Sequence, residues 1–264
     1  MNFKKVTLTA PDGQFVELGS YNTVLRSGFT LEDSSIQVAS RVVFSNNLPL
    51  VPGGIVAPGR ISGRVVELSG TVVGSDDLET YNLARELVTV TRDIGFTPVN
   101  IAYEAGGIDL ELEGFLTGSV EFAPVDGSPW LTYSLTLECA DPVAKGEQRE
   151  EMIPGEVVTD GTSDVFPSIL LTLTGEVTSV RVGSTTVGEF IQLDGLSAAA
   201  EEVFIDTRPG FETVEVDGVA ALNLLNLASS FFALVPGTNA IQVQVLSGTG
   251  SADGVIIWKD GYLL

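Results

Sequence analysis

One segment of the sequence changes from a strand-like to a helix-like pattern, and it limits the fold more than any other. From Val66 to Val72 apolar or small residues alternate with polar ones, which is the period of a half-buried strand. Asp76 and Glu79 then have the spacing of a capping box, which predicts a helix that runs to Arg92. Because no other segment has a convincing helical period, the chain is predicted to be all-β, or β-rich with one helix.

The predicted helix carries an apolar stripe that identifies the face expected to pack on a sheet. The members of this stripe share helical spacing and are Leu78, Tyr81, Ala84, Leu87 and Val88. Four arginines in or near the same segment are expected to pair with neighbouring acids: Arg60, Arg64, Arg85 and Arg92. We therefore interpret the helix as a packing element that covers a sheet.

A charged segment divides the 264 residues into two predicted domains. Composition shifts at Ala140–Pro142, and residues 145–151 are charged and nearly free of apolar side chains, which is typical of a linker. We predict an N-terminal domain of residues 1–142 and a C-terminal domain of residues 143–264. Alternating segments indicate a β-sandwich or split barrel in the first domain and about seven strands in the second.

Missing residue types exclude several kinds of catalytic site. The chain has no histidine, which removes Ser-His-Asp, Cys-His and histidine-ligated metal sites. Its single cysteine, Cys139, excludes a disulfide within the chain, and it shares a strand face with Tyr133, Leu135 and Leu137. We expect Cys139 to be a small core residue.

The charge limits the partners of this chain. With 35 acidic and 13 basic residues the net charge is −22, and such a surface repels a phosphate backbone. The acids either keep the protein soluble or line a passage through which a polyanion slides without sticking. No apolar run approaches the ~20 residues of a membrane span, and residues 1–5 lack the apolar core of a secretory signal. We expect synthesis in a cytoplasm and no membrane partner.

An unusually apolar segment, residues 45–59, is the candidate contact site. Three prolines and three glycines make it a poor central strand, yet it is too apolar for a solvated loop. It either folds onto its own domain or contacts another subunit. The candidate interface residues are Leu48, Leu50, Val51, Ile55 and Val56.

The acidic residues do not indicate catalysis. Asp109, Glu111 and Glu113 alternate with apolar residues and are expected on the wet face of a strand. A glycosidase with two carboxylates is the remaining hydrolytic alternative, and the acids that could be nominated for it are Glu138, Asp206 and Asp217. Nothing marks a pair among them, so we predict no enzyme, no catalytic residue, no metal and no cofactor.

Two tryptophans bear on carbohydrate binding. A sugar site usually needs an exposed aromatic platform with polar neighbours. Trp130 and Trp258 both occupy strand positions where core packing is expected. This placement argues against a carbohydrate-binding or receptor-binding module, which remains an alternative.

The order of these features resembles the distal tail proteins of long-tailed, non-contractile phages, over essentially the whole chain. In the first half the resemblance depends on a strand at 63–74, the helix at 76–92 and Cys139-Ala140-Asp141-Pro142. In the second half it depends on segments 167–175, 204–207, 214–218 and 232–241.

The resemblance implies a fold and an assembly. It implies an N-terminal tail-tube-like β-sandwich or split barrel with one helix, and a C-terminal galectin-like β-sandwich. Copies would form a hexameric ring that joins the tail tube to the tip or baseplate, around a channel for passing DNA. The implied partners are the tail-tube, tail-tip or hub and tape-measure proteins. The implied location is the virion tail tip, after assembly in the host cytoplasm.

The same resemblance bears on two questions left open above, the role of the acidic charge and the role of residues 45–59. An acidic channel wall would repel passing phosphates, which favours the passage interpretation of the charge. Rings are built from heterologous contacts, which favours a subunit contact for residues 45–59. The closest alternative function is a tail-tube protein, which stacks many rings.

Overall fold

The computed structural model describes residues 4–19, 27–36, 44–47, 54–57, 63–92 and 97–263. Within these ranges the chain is strand-rich with one α-helix, as predicted. It divides into two compact units, one of Met1–Ala144 with Leu263–Leu264 and one of Lys145–Tyr262.

The first unit contains β1 to β11 and the helix α1 (Asp77–Thr91), which follows β7. The strands are β1 (Val6–Thr9), β2 (Phe15–Leu18), β3 (Gly28–Phe29), β4 (Asp33–Ile36), β5 (Phe44–Asn47), β6 (Gly54–Ala57), β7 (Arg64–Val73), β8 (Val99–Ala105), β9 (Ile108–Leu116), β10 (Glu121–Pro124) and β11 (Leu131–Cys139). Seven of them pair in a closed circuit, in the order β7, β3, β2, β1, β8, β9, β11 and back to β7. The short β3 completes this circuit by pairing in parallel with β2 and antiparallel with β7.

Period two correctly predicts which residues of these strands lie inside. On β9, Leu110 and Leu112 are buried, whereas Asp109 and Glu113 are exposed and Glu111 is half-buried, which confirms an ordinary solvated face. On β11, Cys139 is completely buried, and burial raises the pKa of its thiol to about 11. The thiol is therefore a core group and stays protonated at neutral pH.

A buried tyrosine fixes how β11 meets the strands around it. The hydroxyl of Tyr133 donates a 2.7 Å hydrogen bond to the carbonyl of Thr30, and its ring meets Phe29 edge to face with centroids 6.2 Å apart. The neighbouring Gly70 has no side chain, and a Cβ there would clash with the Thr30 carbonyl. The glycine thus allows the Thr30 backbone to approach β7 closely.

The second unit is a sandwich of two sheets. Its strands are β12 (Ala144–Ile153), β13 (Gly155–Thr159), β14 (Ser168–Thr174), β15 (Val177–Ser184), β16 (Glu189–Asp194), β17 (Glu202–Asp206), β18 (Thr213–Val216), β19 (Val219–Ala220), β20 (Gly237–Gly248) and β21 (Ser251–Tyr262). One sheet has the order β12-β21-β14-β17-β18-β19, and the other β13-β20-β15-β16. Side chains from both sheets share one buried core, including Ile169 and Ile256 from the first and Val182 and Ile241 from the second.

One segment of this unit differs from the prediction. The charged residues 145–151, interpreted as a linker, belong to β12, which pairs with β21. Most of its side chains are exposed, and backbone pairing requires no apolar side chain. A lack of apolar residues therefore does not exclude a strand.

The two tryptophans have different environments. Trp258 is buried, as predicted, and its Nε1 donates a 3.0 Å hydrogen bond to Asp260. The buried carboxylate of Asp260 also pairs with Arg149 at 3.1 Å. The core prediction for Trp130 is wrong because its side chain is 40% exposed, directly after the turn that precedes β11.

Candidate assembly surface

The start of α1 is fixed by reciprocal capping, as the sequence predicts. Asp76 accepts a 2.8 Å hydrogen bond from the backbone N–H of Glu79, and the Glu79 carboxylate accepts a 2.7 Å bond from the Ser75 N–H. The hydrogen bonds from Ser75 also hold the pKa of Glu79 below its ordinary value. These contacts satisfy otherwise unpaired amides of the first turn and set the direction of the helix.

The face of α1 that packs on β1, β2 and β7 is made mostly of small side chains. Its buried residues are Thr80, Ala84, Leu87, Val90 and Thr91. The hydroxyl of Thr91 donates a 2.8 Å bond to the Leu87 carbonyl, so this polar group is satisfied within the helix. At the other end, a Cβ on Gly74 would lie 2.5 Å from the Thr80 backbone nitrogen, which shows how closely the chain approaches there.

The predicted packing stripe is therefore wrong for three of its five residues. Leu78 and Tyr81 are 68% and 65% exposed, and Val88 is 43% exposed. These three residues, with the exposed Arg85 between them, form what we call the outer stripe of α1. Its members are three or four residues apart in sequence, so they are neighbours on one helix face.

The sequence-predicted interface residues lie partly outside the described part of the chain. Leu48, Leu50 and Val51 are outside the described residues. Ile55 and Val56 belong to β6, which pairs with β5 as a two-stranded antiparallel sheet, with Ile55 opposite Asn46 and Val56 opposite Ser45. Their contact with another subunit stays a prediction.

The arginines predicted to pair with acids also have different positions. Arg60 lies outside the described residues, whereas Arg85 and Arg92 are exposed. Arg64 is buried, and this burial lowers the pKa of its guanidinium, although the charge of the nearby Asp141 acts in the opposite direction. Arg64 is thus a core cation and does not belong to the exposed surface.

Two of the three acids nominated for a glycosidase have structural roles. Asp206 is buried, and its Oδ2 lies 2.6 Å from Nη2 of Arg208. Burial alone would raise the pKa of the Asp206 carboxyl, but the contacts with Arg208 outweigh it and the pKa is lowered. Asp217 accepts 3.0 and 2.9 Å hydrogen bonds from the backbone N–H groups of Glu201 and Glu202. Glu138 is exposed on β11. Two of the three acids therefore stabilise local structure.

In the described ranges, no group of three or more acids, cysteines or histidines is arranged to hold a metal ion. Nor does any described helix combine the length and apolar character needed to cross a membrane.

Comparisons with known proteins agree with this fold. Residues 160–262 match the family model of the siphovirus-type tail component, C-terminal domain. The Dit protein (gp 19.1) of phage SPP1, described as a paradigm of hub adsorption apparatus in phages that infect Gram-positive hosts, superposes with a TM-score of 0.71. The match covers 97% of this chain and 98% of that chain at 16% identity.

A chain from the activated baseplate of phage P2 covers 96% of this chain and 97% of its own length, at 10% identity and a TM-score of 0.50. No curated protein matches the sequence. The sequence's resemblance to the distal tail proteins of siphovirus-type phages is thereby confirmed, through the family of residues 160–262 and a fold shared with a phage Dit protein over nearly the whole chain.

Proposed function

We propose that this protein is a structural hub of a phage tail tip, where six copies form a ring that joins the tail tube to the tip or baseplate. The observation that carries the proposal is the match of both units, in one order, to a Dit protein over nearly the full length of both chains. The family match of residues 160–262 to a tail component supports it independently. The role is structural and requires no catalytic residue or cofactor.

The outer stripe of α1 provides one half of the proposed ring contact. Burying the exposed parts of Leu78, Tyr81 and Val88 contributes roughly 1–2 kcal/mol each from the hydrophobic effect. A stable interface buries on the order of 800 Å² per partner, which is more than three side chains supply. A second apolar surface is therefore needed.

Residues 45–59 provide that second surface. Their apolar members Leu48, Leu50, Val51, Ile55 and Val56 form the proposed contact on a neighbouring copy. A closed ring requires one patch on each subunit to meet a different patch on the next. The outer stripe and this apolar segment are two such patches.

The charge is consistent with a channel for DNA. A ring of subunits that carry −22 each repels passing phosphates, which keeps DNA from binding to its conduit. The proposed partners are the tail-tube, tail-tip and tape-measure proteins. The proposed location is the virion tail tip, with assembly in the host cytoplasm.

The mass of the purified protein, measured by native mass spectrometry at low and high salt, tests the ring. We expect a hexamer that persists in high salt, since its contacts are apolar. Leu50→Asp with Val51→Asp, and separately Leu78→Asp with Tyr81→Asp, should each yield monomers with unchanged unfolding curves. Val219→Asp is the matched control, because this side chain is 68% exposed in the second unit.

The outcomes separate the ring from its proposed contacts. A wild-type protein that is monomeric at every concentration contradicts the ring. A hexamer that survives both double substitutions leaves the ring intact and contradicts the two contact surfaces.

A further inference from the structure

The outward face of the sheet β13-β20-β15-β16 carries a depression lined by polar groups and by the ring of Phe190. Strand register places Arg181 of β15 between Gln192 of β16 and Gln244 of β20. The next row of the same face has Gly183 between Phe190 and Gln242. Three strands therefore bring three amides, a guanidinium and a ring around one glycine.

Gly183 forms the floor of the depression. A Cβ at this position would lie 2.7 Å from the Phe190 Cβ and 2.8 Å from the Glu189 carbonyl oxygen, so no side chain fits. The space above it has a volume of about 190 Å³, and Arg181, Phe190, Gln242 and Gln244 contribute to its lining. This volume accommodates a single sugar ring.

Arg181 is held in a fixed position before any ligand arrives. Its Nε and Nη2 donate to the side-chain oxygen of Gln192 at 3.2 and 2.6 Å, and its guanidinium carbon lies 4.2 Å from the centroid of the Phe190 ring. These contacts fix the plane of the guanidinium. Binding therefore requires less ordering of this long side chain, which favours affinity.

A second layer of hydrogen bonds supports this arrangement. Gln192 donates through Nε2 to Asp194 at 2.9 Å, and Asp194 also accepts from Ser179 at 2.6 Å and from Asn226 at 2.7 Å. The bond from Ser179, followed by those from Asn226 and Gln192, lowers the pKa of Asp194. The network connects Arg181 to the 225–229 segment, so it is more than an isolated surface contact.

We propose that this depression binds one pyranose ring of a neutral carbohydrate. Amide and guanidinium groups match adjacent sugar hydroxyls, each of which both donates and accepts, and Gln244 donates to Gln242 at 3.3 Å so that the two amides are adjacent. The lining has more apolar than polar surface, and the combination suits a sugar ring, which has apolar C–H faces and polar hydroxyl edges. Glu189 at the rim and the net charge of −22 disfavour an anionic ligand.

The proposed site differs from the sugar platforms considered from sequence, because Trp258 is buried in the core and Trp130 belongs to the first unit. It also shares no residue with the two proposed ring contacts, which belong to the first unit. All of its residues belong to the second unit.

An array of neutral gluco-, galacto- and manno-oligosaccharides, followed by calorimetry with the bound glycans, tests the proposal on the full chain. We expect binding in the wild type and a loss of about tenfold or more in Gln242→Ala with Gln244→Ala, since several hydrogen bonds are removed. Both glutamines are exposed, so the fold is expected to persist. Gln148→Ala, at an exposed position of β12, is the control and should bind like the wild type.

Three results would overturn the proposal. The first is that no neutral glycan binds at about 10 mM, a concentration high enough to detect weak single-ring sites. The second is that only anionic glycans bind. The third is that the double variant binds with unchanged affinity. The oligomer mass of the double variant should equal that of the wild type. This readout separates failure of the carbohydrate site from failure of the proposed ring.

Discussion

The outer stripe of α1 and the outward face of the sheet β13-β20-β15-β16 are both open to solvent, but their chemistry is opposite. The helix exposes Leu78, Tyr81 and Val88, for which solvent is an unfavourable environment. The sheet exposes side chains that already bond to one another, such as Arg181 to Gln192. Covering the helix stripe with a partner is therefore favourable, whereas the side chains of the sheet face are already ordered without one.

This difference assigns different roles to the two units. An apolar stripe without directional groups suits a large partner that excludes water, such as another subunit. A pre-ordered depression with both polar and apolar lining suits a small ligand whose hydroxyls replace water. Variants that separate the inner and outer residues of each element test this assignment.

The largest effect is expected within α1. Leu87→Ala removes a completely buried side chain and should lower the free energy of unfolding by about 3 kcal/mol. Leu78→Ala, nine residues earlier on the outer stripe, should change it by less than about 0.5 kcal/mol in the monomer. Urea denaturation followed by circular dichroism measures both variants. Equal losses would show that the outer stripe belongs to the core of the unit.

A smaller effect is expected on β20, where Ile241 points inward and Gln242 outward. Ile241 is only 2% exposed, so Ile241→Val should cost about 1 kcal/mol through the lost methyl group. Gln242→Ala should be neutral within about 0.5 kcal/mol. The same denaturation experiment measures both. A larger loss for Gln242→Ala would mean that the outward face contributes to folding, and its role in ligand binding would then be in doubt.

Strand faces could be predicted from the sequence, whereas the helix face could not. A strand has only two faces, so alternation in β9 and β11 was enough to identify the inner one. The helix has apolar residues on two sides, around Tyr81 and around Leu87. The inner side was decided by Thr80 and Thr91, which a hydrophobic pattern counts as polar but which are both buried.

The sheet depression had no local signal in the sequence. Gln242 and Gln244 are an ordinary outward pair on an alternating strand, and Arg181 lies about sixty residues away from them. Only the pairing of β15 with both β16 and β20 brings these groups together. Sequence patterns indicate which face a residue occupies, but register decides its neighbours.

The smallest predicted effect is a pH dependence of stability, which is expected for the sheet face and not for the helix stripe. Hydrogen bonds from Ser179, Asn226 and Gln192 lower the pKa of Asp194 below its unfolded value. Its contribution to stability is therefore complete above that unfolded value, near 4, and is lost as the pH falls through the lower folded value. The stability difference between the wild type and Asp194→Asn, measured by urea denaturation from pH 7 to 3, should shrink as the solution becomes more acidic.

Leu78→Ala is the matched control for that series, because it changes no titrating group. Its difference from the wild type should stay constant over the same pH range. A constant difference for Asp194→Asn would mean that the hydrogen bonds around this carboxylate do not favour its charged form. The network would then be too weakly ordered to hold Arg181 in place for a ligand. The sheet face could no longer be contrasted with the apolar helix stripe as an ordered surface.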